Sequence, residues 1–360
     1  FVLKYLAAGD SVGMFSAVFA GDDAANLSHD FGTKRRYSIY DVMQGVRIRS
    51  ASISPDAKYV IVNYAENPGG GQRSRPYSEL LERQTGKVLQ SLDATRGYGW
   101  MPRTEKMYYI RSVMGVRELV TVDPATMNEE VIRRGLPEGN LMVAPTEDYV
   151  IYMKKEQGKA EKDKSGRQGL DPVDRQAGAR DRGSICRYDR RTGMDERLTF
   201  GHTTARISDV SWDGNSIIFS TSDNFVPERP FRRSSYYILD MQTMTVDTIF
   251  KDVKFINSIT FSPTGGQLLV TGPAEAFGGI GIDIAPGQVS NMYDVQMFIC
   301  KRDGSGVKAM TKNFDPSVDR AVWNAQDNMI YFSAQDRDYK AMFRMNPSNG
   351  KIDRLSTGVD

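Results

Sequence analysis

Six times along the chain an apolar run, a turn-forming group and a second apolar run follow one another. They are "SASISPDAKYVIVNY" (50–64), "GWMPRTEKMYYI" (99–110), "LMVAPTEDYVIYM" (141–153), "DVSWDGNSIIFST" (209–221), "SITFSPTGGQLLVTG" (258–272) and "RAVWNAQDNMIYFSA" (320–334). Pro, Asp, Gly or Asn between β-rich runs is hairpin chemistry, because these residues preset or tolerate the backbone angles of a turn. A second element follows each hairpin: "ELLERQTGKVL", "LVTVDPATMNEEV", "CRYDRRTGMDERL", "YILDMQTMTVDTI", "CKRDGSGVKAM" and "FRMNPSNGKIDRL". In these an acidic or Asn residue (Glu82, Asp123, Asp189, Asp240, Asp303, Asn346) stands three or four positions ahead of Gly86, Met127, Gly193, Met244, Gly306 and Gly350. An Asx side chain can hydrogen-bond the turn backbone and Gly tolerates positive φ, so the spacing predicts a tight turn at each site. Each unit is then four strands, A to D.

Successive final turn positions lie 41 to 66 residues apart. Four-stranded units of about 40 to 50 residues in series are the pattern of a β-propeller, with surplus length as loops. A β-sandwich has no reason to repeat its turn chemistry six times. The expectation is therefore an all-β fold, a single β-propeller domain over residues 1–360 with seven or eight four-stranded blades. The first blade is expected to be incomplete, with "FVLKYLA" as strand B and "MFSAVFAG" as strand C. The chain opens in an apolar stretch without Met, so a segment upstream is expected.

Within this frame the match Gly9-Asp10-Ser11-Val12-Gly13 to Gly-x-Ser-x-Gly reads as a hairpin loop. A nucleophile elbow needs a strand-to-helix turn, with an acid and then a histidine later in the chain. Only His29 and His202 exist, so no catalytic residue is expected here. Cys186 and Cys300 take equivalent strand C positions in blades that are not neighbours, beyond the ~7 Å Cα separation a disulfide spans. Buried free thiols are expected, with no metal and no cofactor. Glu129-Glu130 reads as a solvated outer strand, and Trp100, Trp212 and Trp323 as packing at the A–B junction.

Composition excludes some partners. With 47 basic and 45 acidic side chains there is no excess charge to attract nucleic acid. No apolar run approaches the ~20 residues of a membrane span.

In blades of antiparallel strands, B–C loops and D–A links leave one end of the sheet, while A–B and C–D turns leave the other. Surplus residues fall in B–C loops: 65–78, 154–184, 222–235 and 273–294. Long loops on one face of a rigid scaffold usually carry recognition. The insert 154–184 holds nine basic and six acidic residues, Arg180 and Arg182 among them, and reads as a solvated loop or as a flap. In 222–235, Arg229, Arg232 and Arg233 with Phe225 and Phe231 form a denser group suited to a carboxylate or peptide carbonyl.

The turns "SPDAKYV" (54–60) and "DRRTGMDERLT" (189–199) resemble repeats of propellers in the prolyl oligopeptidase family and in TolB-like periplasmic proteins. The stretch from Phe261 to Trp323, with its long loop and closing "FDPSVD" (314–319), resembles secreted serine peptidases of the prolyl oligopeptidase family from gut and oral bacteria. "LDPVDRQAGARDR" (170–182) resembles their matching insert. The resemblance implies a propeller that restricts access of short peptides to an α/β-hydrolase domain beyond residue 360, where the serine, aspartate and histidine would lie. It implies a peptide substrate, the chain's own C-terminal hydrolase as partner, a homodimer as one assembly, and a secreted or periplasmic location. It does not extend to dipeptidyl specificity, since no Tyr-Glu-Glu-type segment is present. The alternative is a stand-alone TolB-like propeller that binds protein.

Overall fold

The computed structural model describes residues 44–69, 72–136, 139, 141–158, 165–166, 180–225, 227–289 and 293–355. They form six four-stranded antiparallel sheets, each with its strands in the spatial order A-B-C-D. The fold is thus all-β and of propeller type, with six blades among the described residues rather than seven or eight. The count is lower because each of the six hairpin repeats supplies one sheet and no other described segment supplies another. The expected incomplete blade, with Ser11 and His29, lies outside the described residues.

The chain divides between Pro137 and Glu138 into two compact units. The first holds blade 1 (Gly45–Ile53, Tyr59–Asn67, Arg75–Glu82, Val88–Leu92) and blade 2 (Gly99–Trp100, Met107–Val113, Val116–Val122, Glu129–Arg134). The second holds blade 3 (Leu141–Val143, Tyr149–Glu156, Arg182–Asp189, Asp195–Arg197) and blade 4 (Arg206–Val210, Ser216–Asn224, Arg232–Asp240, Val246–Val253). Blade 5 (Ser258–Phe261, Gln267–Pro273, Val295–Lys301, Lys308–Ala309) and blade 6 (Ser317–Trp323, Ile330–Asp336, Tyr339–Met345, Ile352–Arg354) complete it.

The two repeated turns have local causes. At the A–B junction Ser54, Ser211 and Ser262 are buried, and each hydroxyl accepts the N–H of the residue five positions on, at 2.9, 2.9 and 3.1 Å. In the first two the same hydroxyl donates to Asp56 or Asp213, which closes the turn from inside. At the C–D turn Gly86, Met127, Gly193, Met244, Gly306 and Gly350 all have φ between 57° and 72°. Side chains of Asp123, Asp189, Asp240, Asp303 and Asn346 accept turn N–H groups at 2.8–3.1 Å.

Apolar strand faces pack blade against blade. One buried cluster joins Ile61 and Leu80 of blade 1 to Met107 and Tyr109 of blade 2. In the second unit, clusters join blades 3 and 4 (Ile151, Ile217), blades 4 and 5 (Ile218, Phe298) and blades 5 and 6 (Leu269, Phe332). Cys186 and Cys300 are buried free thiols, and burial pushes the Cys300 thiol up to about 12. Of the tryptophans, Trp323 is buried and Trp100 stacks on Tyr59, but Trp212 is exposed, because it lies in the turn beyond the shared core.

Candidate functional site

B–C loops and D–A links do share one end of each blade in the second unit. Lys254, after the last strand of blade 4, donates to Glu228 of the blade 4 B–C loop at 2.6 Å. Gly183, just after the blade 3 insert, donates its N–H to Thr204 of the following link at 3.1 Å. Val295, just after the blade 5 loop, donates to the Ser317 hydroxyl that opens blade 6 at 3.0 Å.

The strands run further than the sequence suggests, so the loops are shorter: 68–74, 157–181, 225–231 and 274–294. In the last of these, Phe277 points back into the core, with ring centroids 5.1 Å from Phe250 and 5.2 Å from Phe298. That loop is anchored from within.

The blade 4 loop is closed at its base by the Phe225 N–H donating to the Phe231 carbonyl at 2.5 Å. Its aromatic and basic residues fall into two sets. Arg233 lies 3.6 Å over the Phe225 ring and donates to Glu228 at 2.7 Å. Glu228 therefore takes both Arg233 and Lys254, and the Lys254 ammonium, followed by Arg233, holds its carboxyl below the usual range. Arg229 and Arg232 form the other set: both are exposed, and neither has a carboxylate partner among the described residues. Arg229 lies 5.4 Å over Phe231, and Phe225 and Phe231 are exposed at 38% and 48% as whole residues.

Arg180 and Arg182 stand apart from this group, at the neck of the blade 3 insert. There Lys155 donates to Asp181 at 2.9 Å and the Gly158 N–H donates to the same carboxylate at 3.2 Å, so Asp181 is held below its ordinary pKa, Lys155 being the first cause. Arg182 donates to the Asp181 carbonyl at 2.9 Å. A Cβ at Gly158 would overlap the Arg180 carbonyl oxygen, so the two legs meet as closely as only glycine allows. Residues 159–164 and 167–179 of the insert lie outside the described residues.

One cluster was missed from the sequence. Glu129 is not a simply solvated side chain: it accepts from the Tyr109 hydroxyl at 2.5 Å and from Arg111 at 2.7 Å, and lies 3.4 Å from Arg96. Arg111 also reaches Glu118 at 2.8 Å, and Glu118 takes Arg134 at 3.0 Å. The Tyr109 hydroxyl first, then Arg111 and Arg96, hold Glu129 below its usual pKa. The signal was the tight Met114-Gly115 hairpin, which sets Arg111 opposite Glu118, with Arg134 opposite Glu118 on the next strand. Such a network within one blade braces its outer strands.

No group of three or more His, Cys, Asp or Glu suited to a metal occurs among the described residues, and His202 is exposed in a D–A link. No helix among them is long and apolar enough to cross a membrane.

No protein family model matches the chain, and no curated protein matches its sequence. Solved structures do match. The acylaminoacyl peptidase of Pyrococcus horikoshii superposes with a TM-score of 0.59 at 12% identity, over 88% of this chain and 47% of that one. The β-propeller domain of the trilobed protease from Pyrococcus furiosus, described as having an open velcro topology, gives 0.55 at 12% identity, over 87% of this chain and 84% of that one. TolB from Acinetobacter baumannii overlaps more loosely, at 0.44 and 14% identity, over 88% and 64%. This chain spans about half the length of the acylaminoacyl peptidase it resembles. At these identities the likeness is one of fold: a propeller of the kind that peptidases carry.

Proposed function

We propose that the chain is the propeller part of a serine peptidase of the prolyl oligopeptidase type, which restricts access of short peptides to a hydrolase domain carried elsewhere in the same polypeptide. The observation that carries this reading is the overlap of nearly the whole chain with under half of an acylaminoacyl peptidase. The elaborated B–C ends are the side that would meet that domain or its substrate. Elaborated loops on one end of rigid sheets are where recognition is usually built. In such an enzyme the absent domain would supply the activated serine and oxyanion hole, and the propeller would select what reaches them. A secreted or periplasmic location and a homodimer belong to the same proposal.

The test is the mass of the native polypeptide with and without a fluorophosphonate probe. The expected result is a protein well above the 40.3 kDa of this chain, with one adduct outside residues 1–360. A protein near 40 kDa that takes no probe would replace this reading by a stand-alone protein-binding propeller. An adduct on Ser11 would make the chain itself the hydrolase. Native mass measurement of the same sample reads the dimer, and cell fractionation reads the location.

A further inference from the structure

The B–C hairpin of blade 2 ends in apolar side chains that its own blade does not bury. Strand register sets three cross-strand pairs on one face of the hairpin: Tyr109 opposite Val120, then Arg111 opposite Glu118, then Val113 opposite Val116. Tyr109 and Val120 belong to the core shared with blade 1. Above them Arg111, Glu118 and Arg134 form a belt of charge, with Glu118 2.8 Å from Arg111 and 3.0 Å from Arg134. Val113 and Val116, at 43% and 44% exposure, lie beyond that belt, and Met114 at the tip is fully exposed. The turn residues Met114 and Gly115 have φ of 51° and 80°. A two-residue hairpin turn with both angles positive favours Asn-Gly or Asp-Gly, so a methionine strains the backbone there. Its exposed side chain gains no burial in return among the described residues. The stem is nevertheless firmly held: Arg111 also reaches Glu129 at 2.7 Å, and Gly135 and Leu136 of the following link donate to the Arg117 carbonyl at 2.9 and 3.1 Å. A braced stem with a strained, uncharged, apolar tip reads as a contact made outside the blade.

The size of the tip selects its occupant. Three side chains are far fewer than the roughly 20–30 residues a side that hold independent partners together, so a second copy or a free protein would not stay on them. A domain tethered in the same polypeptide starts at high effective concentration and needs less contact. The overlap with 47% of an acylaminoacyl peptidase leaves room for such a domain in a polypeptide of that length. We propose that Val113, Met114 and Val116 form a knob that seats in an apolar socket on the hydrolase domain of the same polypeptide, with Arg111, Glu118 and Arg134 holding the knob in position. This rests on the reading of the chain as the propeller part of a peptidase.

The experiment is oxidation of methionines in the full native polypeptide by graded peroxide, read by peptide mass spectrometry, with exposed Met194 and buried Met107 as internal references. The expected result is Met114 oxidising about tenfold more slowly than Met194 at every protein concentration, because exposure governs the rate. A diazirine analogue incorporated in place of methionine is expected to cross-link position 114 to a peptide outside residues 1–360. Met114→Asn suits the left-handed turn, so hydrogen exchange over residues 107–122 should stay as slow or slow further, while exchange in the cross-linked segment quickens. Met114 oxidised as fast as Met194 in a polypeptide that takes the fluorophosphonate probe overturns the knob and leaves the peptidase reading standing. Protection lost on dilution assigns the cover to a second copy, and a cross-link within residues 1–360 assigns it to this chain; either overturns the proposal. So does Met114→Asn that leaves exchange in the cross-linked segment unchanged. A native polypeptide near 40 kDa that takes no probe removes the peptidase reading and the proposal with it.

Discussion

Asp209 sits on the inner strand of blade 4, and its carboxylate accepts the Phe261 N–H of the inner strand of blade 5 at 2.7 Å. Burial raises its pKa to about 6, against the lowering effect of the Phe261 and Val210 N–H groups. An unfolded chain would release this proton near 3.9. Between about pH 4 and pH 6 the native state therefore binds more proton than the unfolded one, and stability falls as pH rises through that window. Above it the folded carboxylate stays charged at a cost of roughly 1–3 kcal/mol. Asp209→Asn keeps an oxygen for the Phe261 N–H and removes the charge. Urea unfolding is expected to show the variant more stable than the parent at pH 7.5 by an amount in that range, with the gap closing at pH 4. A gap that does not change with pH would mean the carboxylate is not desolvated.

At the level of single elements, what could be read from the sequence was what the chain determines locally. Asp123, Asp189 and Asp240 bond N–H groups two or three residues away, so their turns follow from spacing alone. Ser54 and Ser211 likewise close their own turns. Partners set by how strands and loops come together in space were not readable: Glu129 with Arg111, Arg233 with Glu228, and Phe277 returning to the core from a loop. The expected seven or eight blades counted "FVLKYLA" and "MFSAVFAG" as strands of a further blade on β propensity; these lie outside the described residues, which form six. The group of Arg229, Arg232 and Arg233 was found by composition, and only the structure divided it into Arg233, tied to Glu228 and Phe225, and the exposed Arg229 and Arg232. The insert neck shows how one residue fixes an element. Gly158→Ala forces its legs apart against the Arg180 carbonyl, at a cost typical of overpacking, about 1–3 kcal/mol. Carboxyl titration by NMR is expected to show the Asp181 pKa rising toward its ordinary value as the Lys155 and Gly158 contacts loosen. An unchanged titration would show that the neck absorbs the extra carbon.

Across the second unit, stability is organised as a series of cores, each owned by two successive blades. Phe298 is fully buried in the one that blade 4 and blade 5 share, beside Ile218, Ile259 and Phe277. Repeats that contact mainly their neighbours have stabilities close to a sum of repeat and interface terms. Damage to one shared core should then weaken its two owners first and reach further blades only through the next core. Phe298→Ala removes a large side chain from a site closed on all sides, for a loss of about 3–5 kcal/mol. Native-state hydrogen exchange is expected to show protection falling most in strands Ser216–Asn224, Arg232–Asp240, Gln267–Pro273 and Val295–Lys301. Strands Ile330–Asp336 and Tyr339–Met345 of blade 6 also pack against blade 5, through Leu269, Met297 and Ile299, on a core that does not contain Phe298. Their protection should fall less, because that core keeps all its side chains. Equal loss over blades 3 to 6 would instead show that the unit opens in one step, with the cores acting as a single body.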